Sequence, residues 1–364
     1  FPLLGTAPAA RAASAYGDPL VFLFFGGFIL ALALERWGLH RRLALAVLRV
    51  VRPRPDLVVG AFMAIAAFIS LWVSNTATTL MLLPVAQSVL ASIVPVPGER
   101  PTGAHALLPP ALLLGIAYGA SIGGMGTVIG TAPNVFVASF LRNQLGSDVG
   151  FVEWMMVAMP LVLVLLPAAW WVLTRGVLRV GREPLGDAPA VVARLAAELG
   201  PMSAGARRTA WIFGLPAAAW VTRPWLAGLA VGPVQPFAGL TDTTVAIIAA
   251  LALFVVPAGG GRPGVLMDWE TAARLPWGLL VLFGGGLSLA AALQETGFAE
   301  FLTAAGAALP GLPTWLFVLL VVAAVVFLSE VASNAATAAT VVPVLAAVAT
   351  GAGLAPVALV LAAC

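Results

Sequence analysis

The chain has 364 residues, of which 61% are apolar and 9% are charged. Soluble domains carry about 25% charged residues, so 18 basic and 15 acidic side chains are too few to hydrate a soluble protein of this length. The mean hydropathy is +1.05. These values argue against a soluble enzyme and predict an all-α polytopic membrane protein, because a helix satisfies its own backbone hydrogen bonds in a bilayer.

The basic residues are all arginine, and the formal net charge is +3. They fall in short loops between apolar segments, a pattern that orients membrane spans and does not form a nucleic-acid surface. We therefore expect the lipid bilayer, and no nucleic acid, as a partner. One Cys and two His leave little material for a metal centre or for histidine catalysis. No organic cofactor is predicted.

Apolar segments recur along the whole chain, and several are too short or too interrupted for simple crossings of a bilayer. In chain order they are 20–34, 57–73, 77–94, 105–141, 154–174, 209–222, 241–257, 276–293, 314–328, 336–350 and 354 to the end. The segment 105–141 is too long for one span. Glycines at 123–126 and the sequence Gly-Thr-Ala-Pro-Asn at 130–134 divide it.

The two ends of the sequence predict a fragment of a longer chain. Segment 1–19 lacks the basic region that begins a signal peptide, and residue 1 is not Met. The last residues, 359–364, stop within an apolar run. We expect sequence to be missing at both ends, including spans that precede residue 20.

The arginines predict the orientation of the segments. Residues 35–54 and 175–208 contain six arginines each, which places both stretches in the cytoplasm. The stretch 57–94 must then enter and leave on the cytoplasmic side, as a re-entrant hairpin. The segment 105–141 crosses outward and 154–174 returns.

An internal repeat is the most informative feature of the sequence. A shift of 259 positions places Gly26-Gly27 on Gly285-Gly286, Leu34 on Leu293, Gly38 on Gly297, Ser74-Asn75 on Ser333-Asn334, Thr78 on Thr337 and Pro84 on Pro343. The second hairpin starts from the arginine-free side. The two copies are therefore expected to be inverted in the membrane, which is an architecture of many secondary transporters.

These patterns predict a division of the chain into loops, scaffold spans and segments of a transport domain. The predicted segments are a loop (1–19), a scaffold span with a cytoplasmic amphipathic helix (20–56), a first re-entrant hairpin (57–94), a broken helix (105–141), a span (154–180), a cytoplasmic loop (181–206), scaffold spans of the second repeat (207–308), a second re-entrant hairpin (313–350) and the start of a truncated broken helix (354–364).

Polar residues cluster at both hairpin tips, where they are costly in a membrane unless they are paired or line a cavity. The first tip carries Ser70, Ser74, Asn75 and Thr76, and the second carries Ser329, Glu330, Ser333 and Asn334. Free N–H groups at the start of a half-helix suit a carboxylate, whereas hydroxyl, amide and carbonyl oxygens suit sodium. An ordinary capped turn is the alternative for each tip. Glu330 either relays protons or braces the hairpin.

The sequence around residue 130 predicts a second helix interruption, formed by Gly130, Thr131, Pro133 and Asn134. A kink that serves packing is the alternative. Gly115, Gly119 and Gly123 are spaced by four, which predicts a helix-contact face of small residues.

Two motifs of soluble enzymes occur by coincidence. Gly-Ala-Ser-Ile-Gly at 119–123 matches the nucleophile elbow of hydrolases, but both His40 and His105 precede Ser121, so the required order of the triad is absent. Gly124 and Gly126 suggest a dinucleotide loop, but no strand–helix–strand unit surrounds them.

The combined motifs resemble the divalent anion/sodium symporters, the DASS family. The resemblance rests on the two Ser-Asn hairpins, on GGMGTVIGTAPN at 123–134 and on FFGGFILALALERWGLHRR at 24–42. It covers nearly the whole chain. It implies a homodimer in which a transport domain that carries both hairpins slides like an elevator against a scaffold domain.

The resemblance also implies the ligands at each site. The first sodium would contact Ser70, Ser74, Asn75 and backbone near Gly130. The second would contact Ser329, Ala332 and Asn334, together with backbone from the segment expected to be missing. The substrate carboxylates would contact Asn75, Thr76, Ser333 and Asn334. Two positions depart from the family pattern. Ala335 replaces a threonine beside the substrate, and Ala132 replaces the first proline of the broken helix.

The leading hypothesis is a sodium-coupled symporter of small dianions, with C4-dicarboxylates such as succinate as substrates, in a bacterial inner membrane. The alternatives are a sodium-independent exchanger, a sulfate or citrate carrier of the same fold, and an arsenite-type or sodium/proton antiporter. An antiporter is expected to place ionisable residues deep in the transport domain, where only Glu330 qualifies. An intramembrane hydrolase and a passive channel are remote alternatives.

Overall fold

The computed structural model describes residues 8–91, 106–185, 188–229, 235–260, 262–307 and 313–363. Small parts of the predicted segments, at 1–7, 92–94, 105, 186–187, 230–234, 261, 308 and 364, lie outside these ranges. Within the described residues the chain forms seventeen α-helices and one two-stranded hairpin.

The helices occupy most of the described chain. In chain order they are α1 (Ala9–Ser14), α2 (Pro19–Arg36), α3 (Leu39–Val50), α4 (Pro55–Ser70), α5 (Asn75–Ala91), α6 (Leu108–Gly124), α7 (Ala132–Leu145), α8 (Phe151–Trp171), α9 (Ala188–Glu198), α10 (Ala204–Ala227), α11 (Asp242–Val255), α12 (Trp269–Ala272), α13 (Trp277–Glu295), α14 (Phe298–Ala307), α15 (Thr314–Val331), α16 (Asn334–Gly351) and α17 (Pro356–Ala363). A 3₁₀-helix (Ala15–Gly17) follows α1, a π-helix (Val172–Val177) continues α8, and strands β1 (Pro257–Gly259) and β2 (Arg262–Val265) form the hairpin.

The structure confirms a mostly helical, multi-pass membrane protein. Five helices in the described part of the chain are long and apolar enough to cross a bilayer: α2, α8 with its π-helical extension, α13, α15 and α16. Their outward faces carry apolar side chains, such as Leu163 on α8 and Phe327 on α15, which are 66% and 72% exposed. Such surfaces are compatible with lipid and incompatible with water.

The chain folds into two compact units. One comprises residues 1–25, 132–150 and 276–364, and the other comprises 26–131 and 151–275. In the first unit, α7, α13 and α16 meet where Gly286 leaves room, since a Cβ there would lie 2.8 Å from the Cβ of Ala339 and 2.9 Å from the Phe136 ring.

The second unit is built around the contact between α4 and α6. The predicted glycine face of α6 packs on α4, and this prediction is confirmed. A Cβ at Gly119 would lie 2.5 Å from the carbonyl oxygen of Met63, and one at Gly123 would overlap the backbone of Ala67. The two helix backbones approach closely because neither glycine carries a side chain.

Helix α3 is amphipathic, as predicted for the segment after the first span. Its buried face consists of Ala44, Leu45 and Leu48. Burial lowers the pKa of His40 at its start, an effect that a backbone hydrogen bond to Leu34 partly opposes. The imidazole is therefore neutral at pH 7 and contributes no charge to the arginine-rich stretch.

The helix boundaries follow the 259-residue offset of the sequence repeat. Helices α4 and α15 begin at Pro55 and Thr314, and α5 and α16 begin at Asn75 and Asn334. The turn before α3 and the turn before α14 each contain a glycine with positive φ, at Gly38 (64°) and Gly297 (76°). Corresponding segments of the repeat therefore adopt corresponding local structures.

Three segments differ from the prediction. The loop expected at 1–19 contains α1, and the loop expected at 181–206 contains α9, because alanine-rich stretches favour helix. The all-α prediction also missed the β1–β2 hairpin, whose turn includes Gly259 and Gly260 with φ of 72° and 66°. Consecutive glycines adopt such values without strain and allow a tight reversal of the chain.

The α4–α6 contact predicts the effect of one methyl group. Gly119→Ala should lower the free energy of unfolding by about 1–3 kcal/mol, because the new Cβ meets backbone atoms that cannot rotate away. The matched control is Gly214→Ala in α10, where no atom lies within 4 Å of the added Cβ. The control should be neutral or stabilising by up to about 1 kcal/mol. The measurement is the thermal unfolding of both purified variants in detergent, and equal melting temperatures would contradict the packing.

Candidate functional site

The first hairpin tip joins α4 to α5 through the turn at residues 71–74. Ser70, the last residue of α4, is fully buried. Its hydroxyl donates to the side-chain oxygen Oδ1 of Asn75 at 2.8 Å and also lies 3.3 Å from the carbonyl oxygen of Val73. Three oxygen atoms from both sides of the helix break are therefore close together.

The other hydroxyl groups of this tip have different roles. Ser74 caps α5, since its Oγ accepts the backbone N–H of Ala77 at 3.4 Å. Thr79 donates to the carbonyl oxygen of Asn75 at 2.8 Å. Thr76 is exposed. The tip thus combines an ordinary capped turn at Ser74 with a polar pair, the buried Ser70 and the half-buried Asn75, that capping does not require.

The interruption between α6 and α7 lies directly against this tip. A Cβ at Gly124 would overlap Oδ1 of Asn75, and a Cβ at Gly130 would lie 2.9 Å from the carbonyl oxygen of Ser70. The Cβ at Gly130 would also overlap the carbonyl oxygen of Gly124. The glycines of the interruption therefore allow backbone oxygens to approach the Ser70–Asn75 pair, a role beyond that of a simple kink.

Two contacts that the sequence analysis did not single out hold the interruption in place. The hydroxyl of Thr127 donates to the carbonyl oxygen of Leu71 in the tip turn. The indole N–H of Trp154 on α8 donates to the carbonyl oxygen of Met125 at 2.9 Å. The sequence does hint at the first of these contacts, because Thr127 places a hydroxyl between the two glycine-rich breaks.

An aromatic cluster borders the same tip. Trp72 lies in the tip turn, and its ring centroid is 5.9 Å from that of Phe151, 6.1 Å from that of Trp220 and 5.4 Å from that of Phe213. Phe151 and Trp220 stack at 5.0 Å. These rings fix the turn next to the polar pair. Sequence spacing gave no sign of this cluster, because its members are far apart along the chain.

The electrostatics of the first tip are those of a neutral oxygen-rich site. Residues 69–79 and 123–131 contain no charged side chain. The available ligands are hydroxyl, amide and carbonyl oxygens, which hard cations prefer. The start of α5 adds N–H groups and the positive end of a helix dipole, which favour an anion.

The second tip repeats the backbone pattern of the first. The N–H of Ala332 donates to Leu328 at 3.0 Å, as that of Val73 donates to Ile69 at 3.0 Å. Ser333 caps α16 by accepting the N–H of Ala336 at 3.2 Å.

The side chains at the second tip are arranged differently. Ser329 is half-buried and donates to Val326 within its own helix at 2.8 Å, whereas Ser70 contacts Asn75. Ser333 and Asn334 are exposed, and Glu330 also lies on an exposed face.

The structure brings some predicted residues together and leaves others apart. Ser70, Asn75, Gly130 and Thr131 meet at the first tip, where Thr131 also approaches Gly124. Pro133 and Asn134 belong to the first turn of α7, and Asn134 is buried. Ser329, Ala332, Ser333 and Asn334 adjoin one another at the second tip.

Comparison with known proteins identifies the family of the chain. The profile of the family described as the sodium:sulfate symporter transmembrane region matches residues 3–364. The sodium-dependent dicarboxylate transporters SdcS of Staphylococcus aureus strains bovine RF122 / ET3-1 and NCTC 8325 / PS 47 are 34% identical over 349 residues. These alignments cover 95% of this chain and 66% of each relative, so the chain spans slightly less than two thirds of their length.

The fold and the site define the class of protein. Apolar helices interrupted at neutral polar turns are typical of a multi-pass integral membrane protein that binds small ions within its helices. The chain belongs to the sodium:sulfate symporter family. The resemblance to the divalent anion/sodium symporters is thereby confirmed, and this is a family of transporters, so the hydrolase hypothesis has no support.

The Thr127 contact can be tested by an isosteric substitution. Thr127→Val should destabilise the protein by about 1–3 kcal/mol, because it leaves the Leu71 carbonyl oxygen without its hydroxyl donor. Thr222→Val is the matched control, since the Thr222 hydroxyl is exposed and bonds only the carbonyl oxygen of Ala218 in its own helix. The control should change stability by less than about 0.5 kcal/mol. Thermal unfolding of both variants is the measurement, and a Thr127→Val protein as stable as the control would refute the contact.

Proposed function

We propose that the protein is a sodium-coupled symporter of small divalent anions, with C4-dicarboxylates such as succinate as its substrates. The observation that carries the proposal is the group of neutral oxygens around the buried Ser70 and the half-buried Asn75, against the glycine-rich interruption at 124–130. The curated relatives, which are named sodium-dependent dicarboxylate transporters, support the same conclusion. The bacterial source of those relatives supports a place in a bacterial plasma membrane.

The first sodium is assigned to Ser70, Ser74, Asn75 and backbone oxygens near Gly130. Oγ of Ser70 and Oδ1 of Asn75 are 2.8 Å apart, so one cation can contact both after their hydrogen bond breaks. The carbonyl oxygen of Val73 is 3.3 Å from the same hydroxyl. A sodium ion needs such a shell because its lost hydration must be replaced by several oxygens.

The second sodium is assigned by the repeat to Ser329, Ala332 and Asn334. These positions correspond to Ser70, Val73 and Asn75 at the 259-residue offset. The carbonyl oxygen of Val73 lies close to the Ser70 hydroxyl in the first tip, which supports a backbone role for Ala332 in the second.

The substrate carboxylates are assigned to Asn75 and Thr76 at one tip and to Ser333 and Asn334 at the other. Both pairs lie at a helix start, where N–H groups and the helix dipole stabilise negative charge. Neutral donors bind an anion less tightly than arginine does, which suits a carrier that must release its cargo.

Finer features of the mechanism rest on the sequence repeat and the family resemblance. We infer that the two repeats are inverted, since the arginine-rich stretch precedes only the first hairpin. We also infer re-entrant hairpins, a homodimer and elevator-type movement of the transport domain. The arginines at 35–54 and 175–208 support the orientation on which the inversion depends.

Sulfate is a second candidate substrate, for a specific reason. Ala335 stands where the first tip has Thr76, so one hydroxyl is absent at the second tip. The family description names sulfate. An antiporter has less support because Glu330, its one candidate proton carrier, is exposed.

Uptake into proteoliposomes tests the proposed function. Purified protein should accumulate labelled succinate when an inward sodium gradient is imposed and should not do so with choline in place of sodium. Asn75→Ala should reduce this uptake about tenfold or more, because a ligand shared by the cation and the anion is lost. Ser88→Ala is the control on the same helix, since its exposed hydroxyl bonds only the carbonyl oxygen of Pro84.

The alternative outcomes of this assay are distinct. Uptake that requires internal dianion and ignores sodium would establish an exchanger and would remove the role of both cation sites. Uptake of sulfate but not of succinate would show that sulfate, and not a dicarboxylate, is the substrate. If the Asn75→Ala variant took up succinate as fast as the wild type, the assignment of Asn75 to the sodium and substrate sites would be refuted.

Ala335 predicts a gain of function. Ala335→Thr adds the hydroxyl that the first tip already has and should lower the KM for succinate about fivefold, as expected for one additional hydrogen bond. Thr340→Ala on the same helix is the control, because its exposed hydroxyl bonds only the carbonyl oxygen of Ala336. Kinetics of uptake in proteoliposomes provide the measurement, and an unchanged KM would exclude position 335 from the substrate site.

A further inference from the structure

A groove of about 510 Å³ lies at the start of α4, away from the site described above. Its lining residues are Val51, Arg52, Leu57, Gly60, Ala61 and Trp170. Five of these are apolar or aromatic and one is charged. The proposed function uses none of them.

The apolar wall of the groove is held rigidly. The indole N–H of Trp170 donates to the carbonyl oxygen of Asp56 at 2.7 Å. A Cβ at Gly60 would lie 2.9 Å from that indole nitrogen, so the ring rests against α4 only because position 60 is glycine. The groove therefore needs little ordering when a ligand binds.

The charges beside the groove are unbalanced in favour of arginine. Arg54 and Arg175 both contact the same oxygen of Asp56, at 2.9 Å and 2.8 Å, and this carboxylate is buried. Arg52 is exposed and forms no ion pair with any acidic side chain in the described chain. Two guanidinium groups thus share one carboxylate and Arg52 has none, which leaves about two positive charges in this cluster.

The same cluster has unused hydrogen-bond donors. Nε of Arg54 and Nε of Arg175 are buried and have no hydrogen-bond partner within the described residues. Buried donors of a charged group are costly when they are left unpaired. Neither arginine lines the groove itself, so both act on its contents through their charge.

The place of the groove in the chain indicates its ligand. It opens at the arginine-rich end of the helices, which the positive-inside rule predicts to be the cytoplasmic boundary of the bilayer. Anionic lipids are attracted to basic residues at that boundary. A soluble anion would fit the guanidinium groups but would gain nothing from the apolar wall formed by Leu57, Ala61 and Trp170.

We propose that this groove binds an anionic glycerophospholipid. The headgroup phosphate lies at Arg52, within the field of Arg54 and Arg175, because guanidinium groups pair well with phosphate oxygens. An acyl chain lies along Leu57, Ala61 and the ring of Trp170. The proposal is independent of the transported substrate, so it stands or falls separately from the proposed function.

Quenching of Trp170 by brominated lipids tests the proposal. The full chain is reconstituted in phosphatidylcholine vesicles that contain 10 mol% of either brominated phosphatidylglycerol or brominated phosphatidylcholine, and the Trp170 signal is the difference between the wild type and Trp170→Phe. Brominated phosphatidylglycerol should quench this signal more strongly. Arg52→Gln should reduce the preference about fivefold, which is the expected contribution of one arginine near a membrane surface.

A matched control separates a specific site from general surface charge. Arg194→Gln removes an exposed arginine of α9, whose nearest carboxylate is Glu198 at 3.9 Å, and it should leave the preference unchanged. Arg52 is exposed, so its variants should fold, and Arg52→Glu should abolish the preference entirely.

Three results would overturn the proposal. Equal quenching by the two brominated lipids would show no anionic site. An Arg194→Gln variant that behaves like Arg52→Gln would show only a general surface potential. Loss of the preference in the presence of inorganic phosphate at unchanged ionic strength would assign the groove to a soluble anion.

Discussion

The structure depends on one constraint: a broken helix exposes backbone groups that an apolar interior must satisfy. Here the tip that follows α4 and the interruption that follows α6 satisfy each other. Gly124 and Gly130 permit this because a side chain at either position would overlap an oxygen atom or crowd one. Thr127 completes the arrangement by donating to the tip turn. The polar pair of Ser70 and Asn75 thus lies where the two helix breaks satisfy each other's backbone groups.

Helix α4 is held at both of its ends and along one face. At its start, the buried carboxylate of Asp56 pairs with two arginines. One face of the helix packs on the glycines of α6, and its last residue takes part in the tip contacts. A site placed at the end of such a helix is preorganised, since the residues that support it are themselves ordered.

The sequence predicted the local structure better than the distant contacts. The 259-residue offset predicted that Asn75 and Asn334 occupy equivalent places, and both begin helices. The glycine spacing of α6 predicted a helix contact but could not identify α4 as the partner. The stacking of Trp72 on Phe151 and Trp220 joins residues up to 148 positions apart, and Arg175 reaches Asp56 across 119 positions. Periodicity reports the face of one helix, whereas such contacts depend on how several helices pack.

The hydrogen bond between Ser70 and Asn75 also has a consequence for the proposed sodium site, because it would affect how quickly a bound cation could leave. Any cation that binds these two oxygens must first displace a proton donor that already occupies one of them. The Ser70–Asn75 hydrogen bond would re-form as the ion departs, so the two side chains would again satisfy each other. Such a competitor lowers affinity and shortens the residence time. The proposed symporter would have to load and unload an ion on every cycle, and a site with its own internal hydrogen bond would release the ion without leaving either side chain unpaired.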